Sequence, residues 1–528
     1  MTNSSWNQFC ENLWSNSELG IRLDLSQMPD LSPLKQRMKP LIEKAFEDMA
    51  SLENGAIANP DEQRRVGHYW LRAPHLAPEA ELTNAITSTL SSIQDFAEKV
   101  HNGTIKPPSA DRFTRFLLLG IGGSALGPQW LYDATRNGST PMTAHFIDNT
   151  DPEGFERTLD EIGDEMNQTL VLVTSKSGGT QETRNAMDEV TAAYEARSLS
   201  FGAHSVAITG DGSRLFNHAQ SIGMLGTFPI WDWVGGRTSL FSAVGLLPAA
   251  LLGVDLNTLL QGAADMDAAT RIADVDNNPA MLLALAWYAA TNGRGERAMV
   301  LLPYKDRLGL YSRYIQQLVM ESLGKELDNE SRLVNQGIAV YGNKGSTDQH
   351  ALVQQLREGP DDFFVTFIEV SEERNGSLKY LDGNVTSGDH LLGFLLGTRL
   401  ALSENNHINL TLTLPNVSAH SLGMLVAWYE RAVGYYASLL GINAYHQPGV
   451  EAGKVAAKGY IQLQQRLLEW LSTHDGPGAS VSQLASELQA EEQADAIFYI
   501  AEHLASNGRL THNNASVSER TYQLPQEG

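Results

Sequence analysis

The chain is poor in cysteine, in basic residues and in long apolar runs. Cys10 is the only cysteine among 528 residues, which excludes an internal disulfide and a cysteine-built zinc cluster and fits a reducing compartment. Lys and Arg number 38 against 62 Asp and Glu, a formal net charge of −24. That sign repels the phosphates of nucleic acid and anionic membrane surfaces. A small anionic substrate stays open, because a pocket can be locally positive in an acidic protein. The apolar run Thr238 to Val254 has 17 uncharged residues and is interrupted by Pro248, too short for a membrane span. The opening MTNSSWNQFCENLW has neither a basic nor an apolar stretch, so no targeting segment is read there and a cytoplasmic location is expected. No His-Glu-x-x-His or Cys-x-x-Cys pattern occurs, and metal chemistry has no support.

What is present is a chain 42% hydrophobic and 19% charged, enough for more than one large core. Residues 1 to about 110 have helical periodicity, clearest in Leu34–Leu52 and Ile86–Val100. Short apolar runs then alternate with helical stretches. One series runs through Phe116–Ile121, Thr169–Thr174 and Ser205–Thr209, a second through Ala298–Leu302, Gly337–Tyr341 and Phe363–Val370. Such alternation implies α/β architecture, with doubly wound parallel sheets covered on both faces. The expected divisions are a helical extension over 1–75, α/β domains over 76–285 and 286–455, and a helical tail over 456–528. The tail has helix–turn–helix texture after the break Asp475-Gly476-Pro477-Gly478, but from Gly476 it holds 7 acids and 2 bases. That is the wrong sign for DNA.

Two glycine-rich loops follow apolar strands. Gly120-Ile121-Gly122-Gly123-Ser124-Ala125 has the spacing of a dinucleotide fingerprint, and Asp148 ends the next strand-like stretch. A nicotinamide dehydrogenase is therefore one reading, and a tight turn without a ligand another. The second loop is Ser175-Lys176-Ser177-Gly178-Gly179-Thr180-Gln181-Glu182-Thr183. Its hydroxyls and free amides at a helix start suit a phosphate monoester, whereas a plain helix cap needs one hydroxyl. Two such loops in one unit suggest separate grips on sugar and phosphate.

GIGGSALGP, SKSGGTQET, GGRTSLFSAVGL, MESLGKELD, NKGSTDQHALVQQLREG and HQPGVEAGK occur in that order, and together the chain resembles the glucose-6-phosphate isomerase (phosphoglucose isomerase) family over roughly residues 70 to 460. The resemblance implies two sugar-isomerase (SIS-type) α/β domains with helical extensions, and no metal or nicotinamide cofactor. It implies interconversion of glucose 6-phosphate and fructose 6-phosphate through ring opening and an enediol(ate), in glycolysis and gluconeogenesis. A homodimer is implied, with the ring-opening histidine reaching the site from the neighbouring subunit. Gly178-Gly179 departs from the bulkier or hydroxylated residues usual in the family.

Taken alone, Glu321 is an acid in the last turn of a helix-periodic segment capped by Gly324, where it opposes the macrodipole. The resemblance makes it the base that carries the proton between carbons 2 and 1. His350 reads as a polar residue just inside a helix that Ser346, Thr347 or Asp348 could cap. The resemblance gives it ring opening, with Lys454 as partner. Arg237, beside a strongly apolar stretch, must find an anion or water, and the family role is stabilising the enediolate oxygen. Gly123, Ser124, Ser175, Lys176, Ser177, Thr180 and Thr183 are expected to bind substrate. Gln447 and Glu451 match the family motif as contact or supporting residues. The rival readings are a non-catalytic sugar-phosphate sensor, which would not need Glu321, His350 and Lys454 together, and the isomerase half of an aminosugar synthase, which needs an N-terminal cysteine.

Overall fold

The structure, a computed structural model, describes residues 2–60, 62–374, 376–474 and 476–525. The chain divides into two compact units, one reaching His446 and one starting at Gln447.

The first unit holds two principal sheets. In the first, strands Thr143–Ile147, Arg115–Leu119, Thr169–Thr174, Ser205–Thr209 and Thr227–Pro229 lie side by side in that order, all parallel. From Arg115–Leu119 the chain adds one neighbour on one side and then builds outward on the other. The crevice between Arg115–Leu119 and Thr169–Thr174 is thus the topological switch point, where ligands of such sheets bind. The central strands are mostly apolar and buried because both faces are covered. Phe116 and Leu118 point into the large core of the unit, while Leu117 and Leu119 join a smaller core under helices Gln181–Ala196 and Arg214–Ile222.

The second sheet contains parallel strands Val340–Tyr341, Ala298–Pro303, Phe363–Val370 and Asn409–Leu414. A hairpin, Leu13–Asn16 and Ile21–Asp24, extends it antiparallel. The N-terminal segment is therefore more than helical, although helices Ser32–Glu53 and Ala80–His101 lie where periodicity placed them. The boundary expected near 285 falls inside helix Pro279–Thr291. That helix is buried nearly all round, as a helix between two layers must be. Several buried charges form a group: Arg72 and Arg431 both pair with Asp267, and Arg431 also with Glu53 at 2.8 Å. Asp267 is held at about 2, burial pushing it up and the guanidiniums of Arg431 and Arg72 pulling it down.

The second unit opens with helix Pro448–Thr473. It continues with strand Ala479–Ser480, helices Val481–Glu487 and Ala494–Ser506, and strands Thr511–His512 and Thr521–Gln523. Thr521–Gln523 lies between the other two strands, antiparallel to both. Helix, strand, two helices and a hairpin in this pairing make a winged-helix order, so the tail is not helical alone. Leu467, Leu484, Ile497, Leu504 and Tyr522 form its own core. No helix among the described residues is long and apolar enough to cross a membrane.

Candidate active site

Helix Tyr311–Leu323 places the first group. Tyr311, Tyr314, Ile315, Leu318, Val319 and Ser322 are buried at helical spacing, which leaves Gln317 and Glu321 together on another face, one turn apart. Gln317 Nε2 donates to a Glu321 carboxylate oxygen at 3.0 Å. Gly324 caps the helix, its amide donating to Met320 O. The Lys325 ammonium then folds back and donates to Glu321 O at 2.9 Å. A carboxylate at a helix C-terminus is unfavourable, and this cation at the last carbonyls offsets part of the cost. Lys325 is buried, and its pKa is pushed down to about 7, by desolvation first and the Arg237 charge second, with Glu321 acting the other way.

Arg237 lies on the turn Gly236–Thr238. Its side chain is 4% exposed and its Nη1 is 3.6 Å from the Glu321 carboxylate, itself 19% exposed. Nε donates to Ser322 Oγ at 2.7 Å, and Nη2 to Ala444 O at 2.5 Å. Burial works against the charge and lowers the pKa, while the Glu321 carboxylate supports it. A permanent cation is thus fixed beside a carboxylate with little water, where electrostatic effects are strong.

The two glycine loops bound the same place. The turn Gly122–Ser124 packs directly on Gly236–Thr238, with Ser239 Oγ donating to Gly123 O at 3.4 Å. A Cβ on Gly123 would run into the Gly236 carbonyl, so the approach needs glycine. Gly122 faces the Gln317 amide. In the second loop Ser175 Oγ donates to Thr180 Oγ1 at 3.2 Å, and the Gly179 amide to Ser177 Oγ at 3.1 Å. Thr180 is the N-cap position of helix Gln181–Ala196. Gly178 has φ of +64° and no room for a side chain against the Leu215 backbone, which accounts for glycine where a larger residue was expected. The Lys176 ammonium donates to Asp232 O at 2.9 Å and Val234 O at 3.1 Å. It ties this loop to the segment leading to Arg237. Its pKa is lowered, by burial first and the Arg64 charge second.

Arg237 and Glu321 therefore meet beside Gly123 and Ser124, and Lys176 joins the phosphate loop to the same segment. Thr183 is buried and lines a cavity under the loop. His350 lies in a shorter element than its motif suggests. It ends the turn Thr347–His350, and the α-helix starts only at Val353, without a side-chain cap. The buried Asp348 carboxylate instead accepts from the Asn343 amide at 2.8 Å, so it holds the preceding loop rather than the helix. His350 is exposed, and its neighbour Gln349 donates to Phe394 O at 3.1 Å. Gln447 and Lys454 lie in the second unit, Gln447 at the N-cap of helix Pro448–Thr473 and Lys454 in its second turn. The Glu451 side chain lies outside the described residues. Sequence reasoning missed Gln317, Ser322 and Lys325. The signals were i−4 spacing from Glu321 for Gln317 and a lysine one residue past the capping glycine.

Comparison with known proteins identifies the family. The family model described as phosphoglucose isomerase matches residues 28–388 and 401–481. A glucose-6-phosphate isomerase of Rippkaea orientalis is 56% identical over 504 residues, covering 96% of this chain and 95% of that protein. One from Trichormus variabilis is 55% identical with the same coverage. The crystal structure of a glucose-6-phosphate isomerase from Chlamydia trachomatis superposes with a TM-score of 0.78 at 26% identity, over 87% of this chain and 91% of that one. With a full-length match at this identity and the loop, arginine and glutamate motifs all in place, the chain belongs to the phosphoglucose isomerase family.

Proposed function

We propose that this chain interconverts glucose 6-phosphate and fructose 6-phosphate at the switch point of its first sheet, as an aldose–ketose isomerase. The observation that carries the reading is the buried Arg237 guanidinium 3.6 Å from the Glu321 carboxylate, beside two hydroxyl- and glycine-rich loops. Moving a proton between adjacent carbons needs a carboxylate base and a fixed cation where the enediolate oxygen develops. Glu321 takes the proton from carbon 2 and returns it to carbon 1, its carboxylate held by Gln317. Arg237 stabilises the oxyanion. Ser124, Ser175, Ser177 and Thr180, with the loop amides near Gly123, hold the phosphate at a helix start. Lys176, occupied by two carbonyls, supplies positive potential and loop geometry. His350 and Lys454 open the sugar ring, and Gln447 supports the sugar.

In this reading the enzyme is a cytoplasmic homodimer, and His350 serves the partner's site. A stripe on helix Ser387–Ser403 supports it: Leu392, Leu396 and Leu400 follow at four-residue spacing and all are exposed, Leu400 at 61%. The turn carrying His350 is bonded to that helix. Apolar surface of this kind is buried in a stable assembly, and a second copy there would cover His350.

The test is a coupled assay of purified protein with free and phosphorylated hexoses. Hexose 6-phosphates should turn over and free glucose should not. Thr180→Val should raise KM more than it lowers kcat, because it removes a phosphate hydroxyl and leaves the base. Equal use of glucose and its phosphate would contradict the assignment.

A further inference from the structure

A cavity of about 310 Å³ lies under the Ser175–Thr180 loop, between helices Gln181–Ala196 and Arg214–Ile222. Its volume is at the lower end of small-molecule pockets. Val173 and Leu215 line it, and both belong to the smaller core. It therefore opens on the opposite face of the sheet from the segment that carries Arg237, whose neighbours Val234 and Leu240 are in the large core. The isomerase reading uses its rim at Ser175 and leaves Arg184, Arg214 and His218 without a role.

Its polar lining is cationic. Arg184 comes from one helix, Arg214 and His218 from the other, and Asp188 is the one carboxylate. Among the described residues neither guanidinium has an ion pair or hydrogen bond. Both are exposed at the mouth of the cavity, where an anion could take charge-assisted bonds from them. The first turns of both helices converge here, adding their positive ends. Independently, Thr183 is 4% exposed, lines the cavity, and its hydroxyl has no partner. A buried hydroxyl left unpaired costs free energy unless something completes it.

We propose that this cavity is a second anion site that takes a phosphate group, free or as the monoester of a small molecule. Arg184, Arg214 and His218 supply charge-assisted donors, and Thr183 supplies a hydroxyl. Val173, Met187 and Leu215 give it an apolar wall, and the volume leaves room for an ester's organic part. Ser175 and Gly178 belong both to this cavity and to the substrate loop, so an occupant here is coupled to the grip on substrate phosphate.

Equilibrium dialysis of the full-length protein against inorganic phosphate, with ethyl phosphate as a parallel arm, tests this. The double variant Arg184→Gln/Arg214→Gln should bind one phosphate fewer per chain than the wild type, two falling to one if the active-site loop also binds phosphate. The same drop from one to none would sustain the cavity while contradicting the loop assignment. In phosphate-free buffer kcat and KM should stay within about twofold of wild type, and inhibition by phosphate should become purely competitive. Tighter binding of ethyl phosphate identifies an ester as the occupant, and tighter binding of inorganic phosphate the free ion. Equal phosphate stoichiometry in wild type and variant overturns the proposal. The single variants Arg184→Gln and Arg214→Gln give the same reading, each as affinity weakened at least about tenfold, should the double variant not fold.

Discussion

Lys325 shows how one side chain conditions the site. Its ammonium donates to the last turn of the helix that carries Glu321, yet burial and Arg237 depress its pKa to about 7. Between that value and its unfolded value near 10.5, the unfolded chain holds a proton that the folded chain lacks. Folding stability contributed at this position therefore rises with pH across that window and is flat below it. Denaturant titrations at pH 6.5 and 9.5 should show wild type gaining on Lys325→Met at the higher pH. A constant difference between the two proteins would contradict the depressed pKa. This residue was legible only in part. Glu321, His350 and Lys454 were singled out because their motifs resemble a family, not because periodicity distinguishes a catalytic acid from a surface one. Gln317 and Lys325 were passed over because what matters in them is direction: one side chain runs along the helix, the other folds back on it.

At the scale of elements, buried parallel strands were the most legible feature. Thr169–Thr174, Ser205–Thr209 and Phe363–Val370 begin and end where the apolar runs do, because a strand covered on both faces is apolar at every position. The N-terminal hairpin and the short strands of the second unit were not read. Each has two to four residues and is stabilised by the strand it joins rather than by its own pattern. The meeting of the turns at Gly122–Ser124 and Gly236–Thr238 was equally invisible, since it links loops over a hundred residues apart. It has a sharp consequence. In Gly123→Ala the new methyl meets the Gly236 carbonyl and must push the turn that carries Arg237. Turnover should fall at least about tenfold, the price of a displaced oxyanion group, while circular dichroism stays native. Turnover within twofold of wild type would show that Arg237 does not depend on this contact.

At the scale of the molecule, the chain joins an α/β unit to a second unit of winged-helix order. That unit's acidic balance fits neither DNA nor anionic membranes. The exposed leucines of helix Ser387–Ser403 make assembly testable. Glu321→Gln and His350→Ala homodimers should each be inactive. In a mixed dimer with sites shared across a two-fold axis, both lesions fall in one site and the other is intact. Co-refolding equal amounts should restore roughly a quarter of wild-type activity. No recovery, with mixed dimers demonstrated, would place His350 in the site of its own chain. The central claim is that Glu321 moves the carbon-bound proton, and isotope exchange tests it most directly. In deuterium oxide the wild type should place deuterium at the exchanging carbon of its hexose phosphate. Glu321→Gln should lose exchange and turnover together by about 10³-fold, near the middle of the range for a positioned general base, while still binding a phosphorylated sugar acid. Near-normal exchange in Glu321→Gln would contradict the assignment.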